Sequence, residues 1–140
     1  MQLEVVTTFT FKTGSKPWEF GVDVLVGPTG SEGVSIFVNC GCPSNGLNCT
    51  AGVTPACGGW IHDPCYCHLG TGPATDPMQT VRLHAIVDHS SIEAIFNNRS
   101  AMATYTPWAN LPSAESAGVR LYGNASRVKG SLQTWQLDDA

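Results

Sequence analysis

The sequence predicts an all-β protein: an antiparallel two-sheet β-sandwich of the concanavalin or jelly-roll type, with a disulfide-rich loop segment. About eight short stretches alternate apolar and polar residues with the period of two that is typical of strands. Clusters of Gly, Pro, Asn and Ser separate these stretches at intervals of roughly 8–12 residues. The best helix candidate, residues 109–117, is interrupted by Pro112. These three observations favour a sandwich of short strands over any helical fold.

The clearest pattern covers residues 81–105, which read as three strands joined by two tight turns. Apolar and polar side chains alternate up to a polar break at residues 88–91, and the alternation then resumes. Asn97 and Asn98 predict the second turn, since asparagine tolerates positive φ angles. The chain is then expected to return as a third strand.

The strands on either side follow the same rule. Residues 3–12, 20–26 and 34–40 alternate in the same way, and we expect them to form an antiparallel meander. Residues 118–122 and 128–137 supply the last two strands.

Length and charge limit the number of domains and the kinds of partner. The 140 residues are enough for one β-sandwich domain, residues 1–140. Seven basic and 11 acidic residues give a formal charge of −4, which argues against a nucleic acid, because phosphate contacts need clustered Lys and Arg. No apolar run approaches the roughly 20 residues that span a bilayer, so no membrane insertion is expected. We predict no cofactor, no metal site and no catalytic residue.

A cysteine-rich insert occupies residues 41–77, where no regular period persists. The six cysteines of the chain are Cys40, Cys42, Cys49, Cys57, Cys65 and Cys67. Disulfides are favoured over zinc, because Cys-x-Cys is a poorer chelate than the usual zinc-site spacing. Six cysteines allow 15 connectivities. In one nested set the two residue numbers of each pair add up to nearly the same value, as they do for partners in antiparallel strands folded back on each other. This set is the predicted pairing: Cys40–Cys67, Cys42–Cys65 and Cys49–Cys57.

Three Asn-x-Ser/Thr sequons begin at Asn48, Asn98 and Asn124, which makes these residues candidate sites of a glycoprotein. Together with the clustered cysteines they predict a secreted, extracellular protein. The chain begins Met-Gln-Leu-Glu, without a basic and apolar leader. A leader that was removed and an unconventional route of secretion are both compatible with this start.

Residues 87–98, Val-Asp-His-Ser-Ser-Ile-Glu-Ala-Ile-Phe-Asn-Asn, resemble the signature of the C-terminal β-sandwich of glycoside hydrolase family 32. Residues 118–122 and 131–137 resemble the last two strands of that domain, and residues 20–24 an early one; the likeness covers about two-thirds of the chain. The resemblance implies a sandwich standing alone. In these invertases, inulinases and fructosyltransferases the catalytic acids lie in a preceding five-bladed propeller.

Two motifs superficially suggest catalysis. Residues 88–93 hold Asp, His, Ser and Glu, but adjacent residues cannot converge as a hydrolase triad does. A turn is predicted instead, with Glu93 paired to Arg82 or Arg120. Residues 60–65 are similar to the family's nucleophile block but lack its asparagines, so no catalytic role is predicted there.

Exposed aromatic side chains give the main indication of a ligand. Trp60 and Trp108 lie in loops rich in Gly or Pro and, with Tyr66, are predicted to bind a sugar face. The alternative is that they cap an open end of the sandwich. Trp135 alternates with Leu137 and is predicted to be a core residue, whereas Trp18 is equally compatible with core and surface.

The sequence therefore predicts a non-catalytic, lectin-like binding module. It would recognise a glycan or a cell-surface receptor through the cysteine-rich segment and residues 106–117. A second hypothesis is an immunomodulatory or signalling protein that acts by protein–protein contact, in one form as a homodimer through an exposed sheet face. A third is a vestigial fragment of a fructan or sucrose hydrolase.

Overall fold

A computed structural model describes residues 2–12, 18–27, 33–41, 48–55, 65–68, 78–88, 91–105 and 118–137. The described strands are β1 (Gln2–Lys12), β2 (Trp18–Val26), β3 (Val34–Gly41), β4 (Asn48–Pro55), β5 (Cys65–His68), β6 (Met78–Asp88), β7 (Ser91–Phe96), β8 (Ser100–Tyr105), β9 (Gly118–Tyr122) and β10 (Val128–Leu137). Sheet A has the order β10-β1-β6-β7-β8, and sheet B has the order β5-β4-β3-β2-β9. Paired strands are antiparallel throughout, and the predicted fold class is confirmed.

The core lies between the two sheets, because alternate residues of each strand point inward. Phe9 and Phe11 of β1 meet Phe20 of β2, with ring centroids 4.9 and 5.0 Å apart. Trp18 is buried and packs edge-on against Phe11, at 6.0 Å, so it belongs to the core. Burial of one such side chain stabilises the fold by about 1.5–3 kcal/mol.

β1 lies in a different sheet from β2, so the predicted meander of the first three strands is wrong. β1 pairs with β6 and β10 in sheet A, whereas β2 pairs with β3 and β9 in sheet B. Alternation specifies which face of a strand is buried, but not which strand lies beside it. The phenylalanines of β1 and β2 therefore meet across the core instead of side by side.

The meander of β6, β7 and β8 is confirmed. Asn97 and Asn98 have φ angles of 52° and 55°, and the Arg99 N–H donates to the Phe96 carbonyl oxygen at 3.0 Å. Two left-handed central residues match the twist of the flanking strands in a hairpin. The Asn97 side chain also accepts a hydrogen bond from the Arg82 N–H at 2.9 Å, which ties the turn to β6.

The cysteine-rich segment contributes two strands, β4 and β5, that the sequence did not predict. In β4 the buried residues Cys49, Ala51 and Val53 recur with the period of two. Small residues carry this period, and Gly and Pro surround it, which is why the pattern was not apparent. β4 pairs with β3 and β5 pairs with β4, so the segment widens sheet B.

The predicted disulfide pairing is wrong for Cys40 and Cys49. These two residues are bonded to each other between β3 and β4, where they oppose each other directly with Cα atoms 4.2 Å apart. Because β4 separates β3 from β5, Cys67 lies two strand spacings from β3, roughly 10 Å, and a disulfide spans less than about 7 Å. Cys42 lies outside the described residues, so its bond to Cys65 stays a prediction.

Candidate binding face

The residues predicted to bind a ligand lie mostly outside the described part of the chain. Trp60 and Trp108 are outside it, as is Cys57. Tyr66 lies on β5, where its backbone opposes Gly52 of β4. The predicted sugar platform on these three aromatic residues therefore stays a prediction.

Two of the three sequons lie in exposed turns. Asn98 is the second central residue of the turn between β7 and β8, and Asn124 lies in the turn between β9 and β10. Oδ1 of Asn124 accepts hydrogen bonds from Ser126, at 3.0 Å from the backbone N–H and 2.7 Å from the hydroxyl. Asn48 is the first residue of β4. Their exposure leaves Asn98 and Asn124 accessible, and glycosylation stays a prediction at all three.

β6 and β7 pair with each other on either side of the polar break, and the predicted turn itself stays a prediction. Asp88 and Ser91 are register partners, and the Ser91 hydroxyl donates to the Asp88 carbonyl oxygen at 3.2 Å. The two residues between them lie outside the described part of the chain. The predicted pairing of Glu93 with Arg120 is wrong, because Arg120 belongs to sheet B and binds Asp23 there.

A charged cluster on the outer face of sheet B holds β9 against β2 and β3. Oδ1 of Asp23 accepts from the Ser35 hydroxyl at 2.6 Å, and Oδ2 accepts from Nε and Nη2 of Arg120 at 3.1 and 2.7 Å. The Tyr122 hydroxyl donates to Glu19 at 3.3 Å. Burial, and then the negative charges of Glu19 and Asp23, raise the pKa of Tyr122 far above its usual range. Since these groups bind one another, the cluster is structural.

A row of alternating aromatic residues and glycines crosses the same face. Gly21 lies between Tyr122 of β9 and Phe37 of β3, and Phe37 in turn opposes Gly52. A Cβ atom at Gly21 would lie 2.2 Å from the Ile36 carbonyl oxygen and 3.0 Å from the Tyr122 ring. The missing side chain therefore lets the neighbouring strand and ring approach β2 closely.

The outer face of sheet A is different, because it exposes large apolar side chains to solvent. Among the described residues, the large apolar side chains that are exposed are Met78 (40%), Ile86 (38%), Ile95 (41%) and Trp135 (45%). Opposed residues of an antiparallel pair share a face. The register places all four on the outward side, together with Glu4, which lies directly between Trp135 and Ile86.

The prediction that Trp135 is a core residue is therefore wrong. Pairing with β1 opposes Thr134 to the buried Val5, so the residues on either side of Thr134 point outward. β10 is also an edge strand of sheet A. The strand carries apolar residues on both faces, and the sequence alone does not say which face is inside.

A hydrogen-bonding contact between a histidine and a glutamate lies at the centre of this outer face. Nε2 of His84 is 2.8 Å from Oε1 of Glu4, and both side chains are about one-third exposed, at 36% and 31%. The backbones of the two residues belong to adjacent strands of sheet A. The contact orients the Glu4 carboxylate beside Trp135, and so provides a hydrogen-bonding group next to the indole.

A shallow depression of about 250 Å³ lies at the other end of the face, over β7 and β8. It is lined by Glu93 and Ile95 and by small residues that include Ala101 and Ala103. Small side chains on β8 beside the larger Ile95 produce the depression. The outer face of sheet A thus has two parts: an indole with polar neighbours near β10, and an apolar hollow near β8.

The described residues offer no cluster of three or more His, Cys, Asp or Glu side chains that could hold a metal ion. None of them belongs to a helix long and apolar enough to span a bilayer.

The fold and this face define an antiparallel β-sandwich module whose sheet A exposes large apolar side chains on its outer face. The chain belongs to the family described as "Glycosyl hydrolases family 32 C terminal", whose profile matches residues 1–136. The resemblance noted in the sequence is thus confirmed. A search of curated proteins found no match to the chain.

Proposed function

We propose that the chain is a non-catalytic binding module and that the outer face of sheet A is its contact surface. One observation carries the proposal: the large apolar side chains exposed among the described residues lie together on this face. Apolar groups left on one face of a folded domain are typical of a surface that contacts another molecule. The family match supports the absence of catalysis, because it covers the C-terminal domain of the glycoside hydrolases.

The partner class that we favour is a glycan or a glycosylated cell-surface receptor. Trp135, exposed beside the oriented Glu4 carboxylate, supports this class, since an indole provides an apolar platform with polar groups at its edge. The Cys40–Cys49 disulfide supports an oxidising, extracellular setting.

Protein–protein contact, as in a secreted signalling or immunomodulatory protein, is the second candidate. The hollow at Ile95, Ala101 and Ala103 favours it, because a hollow lined by small apolar residues can receive a side chain of a partner. Origin as a fragment of a fructan or sucrose hydrolase is compatible with either kind of binding.

The test is binding of the fluorescently labelled chain to a glycan array and to cells, with and without excess free sugars. Wild type is compared with Trp135→Ala and Ile95→Ala, and Gln136→Ala serves as a control on the same strand with its register on the inner side. Loss of binding in either face variant, with the control unchanged, supports the proposal. Binding that survives both face variants contradicts it, as does hydrolysis of sucrose or inulin by the pure chain.

A further inference from the structure

We infer that Trp135, Glu4, His84 and Gln133 form a subsite for a single uncharged sugar ring on the outer face of sheet A. The inference rests on the proposed function and assigns a ligand class to one part of the surface. It places the sugar on β10, β1 and β6, with His84 opposite Ile95 at the border of the hollow.

Trp135 supplies the platform. Its side chain is 45% exposed, and it lies on the edge strand β10 with β1 on one side. A sugar ring carries a face of C–H groups that packs on an aromatic ring, whose own face bears partial negative charge. Among the described residues no strand pairs with the other side of β10, and the next units of an oligosaccharide extend past the sheet on that side.

Glu4 and His84 supply fixed polar groups beside the platform. Glu4 opposes Trp135 directly, so its backbone lies about 5 Å away on the neighbouring strand. Its Oε1 atom contacts Nε2 of His84 at 2.8 Å, which leaves Oε2 as an acceptor for a ligand hydroxyl. A carboxylate already oriented by a neighbour loses little conformational entropy when it accepts that bond.

Gln133 completes the set along the strand from the indole. It is exposed and lies two residues before Trp135 on the same face of β10, about 7 Å along the strand. Its amide can both donate and accept, so it can bind a hydroxyl group in either orientation. Platform, carboxylate and amide therefore lie within the span of one ring and its substituents.

Charge and size select the ligand class. The carboxylate of Glu4 adjoins the platform. Arg82 lies on the same face, four residues along β6 from the residue opposite Glu4, and Lys129 lies six residues from Trp135 on β10. These separations along the strands are roughly 13 and 20 Å, beyond the screening length of about 8 Å. This arrangement disfavours sugars that carry carboxylate or sulfate groups. The four residues lie on three adjacent strands, a patch about 10 Å wide. Its area is far smaller than the roughly 800 Å² that each partner buries in a standard protein interface.

Native affinity electrophoresis in gels that contain inulin, hydroxyethylcellulose or soluble starch tests the inference, with polygalacturonate as the acidic polymer. We expect at least one neutral polymer to retard the chain and polygalacturonate not to do so. Trp135→Ala should lower the apparent affinity about tenfold, or about 1.4 kcal/mol, and Trp135→Phe should retain part of it. Gln136→Ala, on the same strand with its register on the inner side, is the control and should behave as wild type.

Retardation by the acidic polymer alone, or retardation that is unchanged in Trp135→Ala, would overturn the inference. Failure of all three neutral polymers would also overturn it. The proposed function fails separately: if Ile95→Ala abolishes binding to cells while no neutral polymer retards the chain, the face is a contact surface but not for a sugar. If neither assay detects binding through the face, both proposals fail. Thermal unfolding of each variant confirms that it is folded.

Discussion

Replacement of Cys40 and Cys49 by alanine tests the strand order of sheet B through stability. The disulfide joins residues separated by nine positions, so it closes a loop of about ten residues. In the chain-entropy model, closing such a loop destabilises the unfolded state by about 2.7 kcal/mol. For a domain of this size, that loss corresponds to a fall in Tm of roughly 10 °C.

A double-mutant cycle separates the bond from the packing of the two sulfur atoms, which are buried. Either single variant, Cys40→Ala or Cys49→Ala, already breaks the bond, and each should lose the whole contribution of the disulfide. The double variant should be only slightly less stable than either single one. We therefore expect a coupling energy of about 2.5–3 kcal/mol from urea unfolding of the four proteins.

The nested pairing predicts a different result from the same cycle. There Cys40 and Cys49 belong to two separate bonds, so the costs of the single variants would add in the double variant. Additive losses of stability would refute the strand order on which this reasoning rests. So would a mass spectrum in which the Cys40 peptide is linked to any peptide except the one that contains Cys49. Alkylation before digestion prevents exchange with the thiol that each single variant leaves unpaired.

Three further predictions concern the outer face of sheet B. Gly21→Ala should lower the free energy of unfolding in urea by at least about 2–3 kcal/mol, because its Cβ atom would lie 2.2 Å from the Ile36 carbonyl oxygen. A loss below about 0.5 kcal/mol, which is typical of surface variants, would contradict that close approach. Asp23→Asn should lower the free energy of unfolding by about 1–2 kcal/mol. This value is modest because the Arg120 side chain is 55% exposed. An unchanged urea midpoint would mean that Asp23 and Arg120 do not pair in solution. The folded state raises the pKa of Tyr122, so this group should stabilise the wild type fully below about pH 10, and the stability should fall as the pH rises further. Tyr122→Phe should reduce that alkaline loss of stability. Parallel curves of unfolding free energy against pH for the two proteins would argue against a buried phenol.

The alternation of residues was sufficient to predict the fold class and all the described strands except β4 and β5. The stretch from β6 to β8 alternates with a period of two and has two asparagines at its second turn. This combination is typical of a twisted antiparallel meander. The same signal is weaker where small residues carry it, so β4 and β5 were not predicted. In both cases the prediction uses local information, because the alternation depends only on which face of its own strand each side chain lies on.

The candidate site depended on what lies beside each strand, which alternation does not encode. Trp135 was predicted to be in the core because it alternates with Leu137, and only the pairing of Thr134 with Val5 shows that this side of the strand faces outward. Glu4 and His84 are separated by 80 positions in the sequence and gave no signal of their own. Their contact exists because β1 and β6 are neighbours in sheet A.

The sequence by itself determined a body of short antiparallel strands with aromatic side chains at its centre, since period and turn chemistry act over a few residues. The tertiary structure alone decided that β1 joins the sheet opposite β2, that Cys40 bonds Cys49, and that one tryptophan faces solvent. The physical reason is that hydrogen bonds between strands are made by the backbone, which is the same for every residue. The choice of neighbour therefore depends on how the whole chain buries its apolar faces at once.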